Sequence, residues 1–107
     1  MDYREKKTLV CGMARSGIAA ARLLKKLGAD VTLQDMKKRE DISADALALE
    51  REGVRLYTGA NPDDIADKQD LIVLSPGIPC DLPFIAAAEQ AGVEVISEVE
   101  LAYRLTP

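Results

Sequence analysis

The chain has 107 residues, 48% of them apolar and 30% charged, with a net charge of −4 and no histidine. That is one globular domain by size, and the acidic balance disfavours nucleic acid as a partner. The absence of histidine excludes Ser-His-Asp and Cys-His nucleophile systems and histidine metal sites within the chain.

Residues 1–6 are polar and read as a lead-in with no signal-peptide character. No apolar run is long enough to span a bilayer, and two cysteines far apart, Cys11 and Cys80, suit a reduced, cytoplasmic protein. Thr8 to Cys11 form a first strand, with Cys11 as a small buried filler. A helix opens at Gly17, with Ala20, Leu23, Leu24 and Leu27 at the spacing of one apolar face and Gly28 closing it.

Val31 to Asp35 read as strand two, ending on an acid. Ser43 or Asp41 caps a helix over residues 44–52, closed by Gly53, and residues 54–57 form strand three. Asn61-Pro62-Asp63-Asp64 predicts a cap, a proline at the first helical position and acids in the first turn of a short helix. Leu71-Ile72-Val73-Leu74 is unbroken and apolar, as expected of a strand buried on both faces beside strand one.

Ser75 to Pro79 breaks the chain, stiffened by two prolines, with Gly77 free to take an unusual φ. Asp81 is expected to cap a helix running from Leu82-Pro83 to Gly92. Val93 to Ile96 form strand five. Ser97 and Glu100 have capping-box spacing for a last helix. Three helix-ending glycines, Gly28, Gly53 and Gly92, each lead into a valine strand. This alternation predicts an α/β fold: a Rossmann-like open parallel five-stranded sheet in order 3-2-1-4-5, with helices on both faces.

In such a sheet, ligands bind at the carboxyl ends of the strands, at the switch point between strands one and four. The loops there are 12–17, 35–38 and 75–79. Gly12-Met13-Ala14-Arg15-Ser16-Gly17 has the G-x-A-x-x-G pattern of a dinucleotide-type loop. Gly12 makes the turn, and Gly17 lets helix and strand approach. Ala14 stands where a glycine admits a diphosphate most closely. Ile18-Ala19 replace the Lys-Ser/Thr of a P-loop, so ATP is rejected at this loop.

Asp35 follows 18 residues after Gly17, where an acid can bind a ribose or a base N–H. Arg15 can pair with phosphate, stack on a base or face water, and Lys37 and Lys38 carry the same ambiguity. These residues leave open a nucleotide site, with an NAD(P) site of an oxidoreductase or regulatory protein as one form of it, and a scaffold whose glycine turn serves packing alone.

Residues 10–17, Ser75-Pro76-Gly77-Ile78-Pro79 and Glu98-Val99-Glu100-Leu101-Ala102-Tyr103 together resemble the N-terminal domain of the Mur ligases, closest to the D-glutamate-adding branch. The resemblance spans the chain. It implies one UDP-substrate-binding domain, residues 1–107, from a three-domain ligase whose ATP-binding and C-terminal domains lie elsewhere. The implied reaction in the whole enzyme is ATP- and Mg2+-dependent amide formation between UDP-N-acetylmuramoyl-L-alanine and D-glutamate in peptidoglycan synthesis. The fragment alone is expected to be inactive and monomeric, with no catalytic or metal residues.

Carried over by position, Arg15 and Ser16 would lie by the uracil and diphosphate, with the phosphate loop formed by Gly12, Met13, Ala14 and Gly17. Asp35 would hydrogen-bond the uracil, with Met36 and Lys37 beside it. Ser75 and Gly77 would meet the sugar or lactoyl-peptide end of the substrate.

Overall fold

A computed structural model describes residues 2–106, so Met1 of the expected lead-in and Pro107 of the expected domain lie outside the described residues. The strands are β1 (Lys7–Cys11), β2 (Asp30–Asp35), β3 (Arg55–Thr58), β4 (Leu71–Leu74) and β5 (Glu94–Ser97). They form one parallel sheet in the expected order, β3-β2-β1-β4-β5. The helices are α1 (Arg15–Lys26), α2 (Ala44–Arg51), α3 (Pro83–Gln90) and α4 (Glu98–Leu105).

Parallel strands bury both faces, and β4 is buried at every residue. On one face Val10, Val31, Leu33, Val73 and Ile96 meet Ile18, Ala21 and Leu24 of α1, Leu49 of α2 and Leu101 of α4. On the other, Leu9, Cys11, Ile72 and Leu74 meet Phe84, Ile85 and Ala88 of α3. Among the described residues, three helices therefore cover the first face and one covers the second. Gly28, Gly53 and Gly92 all have positive φ, which lets each helix end abruptly and feed the following strand.

Several local expectations are corrected. Tyr3 is buried in the first core, so the lead-in is part of the fold. Helix α1 begins at Arg15, before Gly17, and its buried face is Gly17, Ile18, Ala20, Ala21 and Leu24, with Leu23 and Leu27 exposed. The Asn61–Asp64 stretch starts no α-helix: a turn there leads into a 3-10 turn at Ala66–Lys68.

Helix α3 is capped by backbone at Leu82, with Pro83 at its first position, and Asp81 is not its cap. Ser43 and Ser97 do cap α2 and α4, accepting from the N–H groups of Ala46 and Glu100 at 3.2 and 3.0 Å. The Glu100 carboxylate instead accepts from Arg104 Nε one turn on, so only half of the capping box forms.

Cys11 lies fully inside the sheet, and burial pushes its thiol up to about 12, whereas Cys80 is exposed. Only the thiolate reacts with disulfide reagents. Titration of the native protein with such a reagent at pH 8 is therefore expected to modify Cys80 alone. Cys11 should become available only in denaturant.

Candidate functional site

The carboxyl ends of β1, β2 and β4 are locked together by backbone. Past β1, the Gly12 N–H donates to the Gln34 carbonyl at 2.7 Å, and the Ser75 N–H donates to the Cys11 carbonyl at 3.1 Å. Gly12 has φ +110°, and a Cβ on it would collide with the Ser75 side chain. A Cβ on Gly17 would collide with the Gly12 carbonyl. The two glycines of the loop are thus required for different reasons: Gly12 by its turn and Gly17 by the close approach of α1 to β1.

Asp35 closes this arrangement. Its Oδ2 accepts from the Met13 N–H at 2.8 Å and its Oδ1 from the Lys37 N–H at 2.9 Å. The end of β2 is thereby pinned to the glycine loop, and each oxygen keeps one lone pair.

The remaining expected residues divide around the loop. Gly12, Asp35, Met36 and Gly77 line a cleft of about 260 Å3 at the switch point. Its walls include Gln34, Asn61, Ile78 and Phe84, none of which the sequence reading named as a ligand contact. Gln34 is buried there, with its Nε2 donating to the Ala60 carbonyl at 2.9 Å. A polar residue alternating with apolar ones in β2 was the available signal, but it reads equally well as solvent-facing.

Met13 and Arg15 line a separate cleft of about 340 Å3, between α1 and the start of α2. Ser16 faces α4. Lys37 and Arg15 are exposed, and Met36 is 57% exposed.

Three placements differ from the residue-level reading. The Met13 side chain is in the core and its N–H is held by Asp35, so Met13 offers a phosphate neither group. The Ser75 hydroxyl is enclosed against Gly12 and Gly17 with no hydrogen-bond partner, and faces the loop's underside rather than the cleft. Gly77 lacks the unusual φ expected of it: its φ is not in the left-handed region and a Cβ there would meet open space.

Ala14, the N-cap residue of α1, provides no side-chain cap, and the first turn of the helix carries no acid. Helices α2 and α4 each carry both. The first-turn N–H groups of α1 therefore have no carboxylate or hydroxyl on them, and the helix dipole is uncompensated there. This end of α1 suits an anion.

Ile18-Ala19 follow the loop, and among the described residues no group of three or more Cys, Asp or Glu could hold a metal.

A doubly wound parallel sheet with a glycine loop and a cleft at its switch point defines a Rossmann-like domain. The family can be stated more narrowly. Residues 6–97 match the model of the Mur ligase MurD-like N-terminal domain, and the chain belongs to that family.

It is 46% identical over 106 residues to the UDP-N-acetylmuramoylalanine--D-glutamate ligase of Lacticaseibacillus casei, covering 98% of this chain and 23% of that protein. It is 40% identical over 108 residues to the enzyme of the same name from Alkaliphilus metalliredigens, covering 99% and 24%. The chain thus spans about a quarter of the length of these relatives. Among solved structures, a pseudomurein peptide ligase type C from Methanothermus fervidus shares the fold, with a TM-score of 0.72 at 24% identity over 94% of this chain and 20% of that one.

The loop lock predicts its own sensitivity. Gly17→Ala is expected to destabilise the protein by about 1–3 kcal/mol, since the helix must move off the strand. Asp35→Ala leaves two backbone donors without their charged acceptor and should cost about 1.5–3 kcal/mol. Urea unfolding measures both, and amide exchange at Met13 should accelerate in the Asp35 variant.

Proposed function

We propose that this chain is the domain that holds the UDP portion of UDP-N-acetylmuramoyl-L-alanine within a longer ATP- and Mg2+-dependent, cytoplasmic ligase that adds D-glutamate during peptidoglycan precursor synthesis. Membership of the MurD-like N-terminal family over residues 6–97 carries this reading.

The geometry supports it. The uncapped N-terminus of α1 offers backbone N–H groups to the diphosphate, with the exposed side chains of Arg15 and Ser16 beside it. The cleft at Gly12, Asp35 and Met36 is sized for a base and sugar, and the free lone pairs of Asp35 accept from the uracil N–H. Met36 has no polar side-chain partner for the base, so its backbone N–H serves. Lys37 lies next to it, and its ammonium adds positive charge beside a dianionic ligand. Gly77, exposed and uncrowded, borders the path by which the peptide end leaves. Ser75 acts from below, by fitting its side chain against the two glycines.

Phosphoryl transfer and D-glutamate capture belong to other parts of the longer enzyme. The 107-residue chain alone is inactive, and no turnover of ATP is expected from it.

An amide-shift titration tests the proposal. UDP, or UDP-N-acetylmuramoyl-L-alanine, should perturb residues 14–17, 35–37 and 77 saturably, while NAD should not. Saturable shifts from NAD with none from UDP would establish the dehydrogenase-type alternative.

A second expected outcome separates stability from binding. Ala14→Asp supplies the missing cap and should raise stability by about 0.5–2 kcal/mol. The same carboxylate would occupy the N–H groups assigned to the diphosphate and repel it, so UDP affinity should fall at least about tenfold. Calorimetry reads both, and unchanged affinity would remove the α1 N-terminus from the site.

A further inference from the structure

The nucleotide reading leaves a second cleft on the sheet unused. It holds about 290 Å3 and shares no lining residue with the cleft at Gly12 and Asp35. Lys7, Asp30 and Arg55, the first residues of β1, β2 and β3, line it, so it lies toward the amino ends of the strands. Thr32 pairs with Leu9, whose side chain belongs to the α3 face, and the cleft opens on that face. Its far wall is the segment 65–69. That wall is fixed: the Tyr57 hydroxyl donates to Asp64 Oδ1 at 2.6 Å, Lys68 Nζ to the Asp64 carbonyl at 3.0 Å and Gln69 Nε2 to the Ile65 carbonyl at 3.1 Å. The Asp70 N–H, donating to the Lys7 carbonyl at 2.8 Å, ties the segment to the start of β1.

Two features of the lining point to a ligand. Thr32 is only 8% exposed, and its hydroxyl has no hydrogen-bond partner among the described residues. Unlike the Thr8 hydroxyl it is not sealed in, and the cleft is where it opens. A buried hydroxyl without a partner is costly, and a polar ligand atom removes that cost. The rim is also positive. Lys7, Arg55 and Lys68 stand there against one carboxylate, Asp30, in a chain of net charge −4. Arg55 Nη1 lies 3.4 Å from Asp30, so that pair is neutralised. Lys7 and Lys68 make no salt bridge among the described residues. The acids nearby are engaged elsewhere: Asp64 takes the Tyr57 hydroxyl, and Asp70 takes the Lys7 N–H at 2.8 Å.

We infer that this cleft is a second small-molecule site, separate from the nucleotide cleft, and that it takes an aromatic carboxylate. Charge complementarity selects the carboxylate, which pairs with the ammonium groups of Lys7 and Lys68. Leu56, Tyr57 and Ile65 supply the apolar wall for the ring, with Tyr57 offering an aromatic partner. The Thr32 hydroxyl donates to a carboxylate oxygen or to a polar ring substituent. An apolar body held by a few convergent polar groups is the usual make-up of a small-molecule site. The inference does not depend on what the nucleotide cleft binds.

The test uses the full-length polypeptide and calorimetric titration with naphthalene-2-carboxylate at pH 7. Naphthalene-2-carboxamide is the neutral control. The acid is expected to bind saturably with a Kd at or below about 1 mM, and the amide at least about tenfold more weakly. Lys7→Gln with Lys68→Gln should weaken the acid at least about fivefold. Thr32→Val should weaken it at least about threefold. The Thr32 hydroxyl has no protein partner to lose, so the melting temperature of that variant should not fall. Saturating UDP should leave the affinity for the acid unchanged.

No saturable binding of the acid overturns the site. Equal affinity for acid and amide overturns the choice of a carboxylate. Binding that is unchanged in both the lysine and the Thr32 variants overturns the location, as does displacement of the acid by UDP, which would assign it to the nucleotide cleft. Failure of UDP itself to bind bears on the nucleotide reading alone and leaves the second site standing on the acid titration.

Discussion

A single carboxylate holds the ligand end of this domain in shape. Asp35 takes the backbone N–H of Met13 on one side and of Lys37 on the other, so the loops after β1 and β2 move as one body. Beneath it, Gly12 and Gly17 are packed so closely against Ser75 and each other that neither tolerates a methyl group. Charge-assisted hydrogen bonds above and van der Waals contact below leave the loop little freedom. A site built this way is preorganised. A ligand entering it does not first have to order the backbone.

The sheet's uneven cover explains where the cleft lies. With α1, α2 and α4 on one face and α3 on the other, Gln34 of β2 is buried not under a helix but against the Ala60 carbonyl it bonds, at the edge of the cleft. The connection from β3 to β4 crosses that face as a turn and a short 3-10 segment rather than a helix. The same economy gives the cleft one apolar wall, from Ile78 and Phe84, and one polar wall, from Gln34, Asp35 and Asn61. A flat heterocycle with a hydrogen-bonding edge fits such a pair of walls.

The architecture was largely legible because it is written in backbone chemistry. Glycines ending three helices, and the unbroken run Leu71–Leu74, leave little room for another strand order. Side-chain roles were less legible. The spacing of Ala20, Leu23, Leu24 and Leu27 identified a helix. Which stripe is buried depends on how the helix is rotated onto the sheet, and the core took Ile18 and Ala21 in place of Leu23 and Leu27.

Glu100 had two partners within reach, and the guanidinium of Arg104 outcompeted the cap. Ser75 and Met13 fell in the correct loops, yet sequence position does not say whether a side chain points to ligand or core. Gln34 was missed for a related reason: buried polar groups are recognised by what encloses them, and the enclosing residues come from distant parts of the chain.

The lock around Asp35, Gly12 and Gly17 separates two kinds of sequence constraint. The loop's path is set by two glycines and a carboxylate, while the side chains of Ala14, Arg15 and Ser16 project outward and take no part in holding it. Those three positions form a mutable insert in a fixed frame. Single substitutions there change the outward face of the loop without moving the frame beneath it, which makes the segment a natural place for redesign.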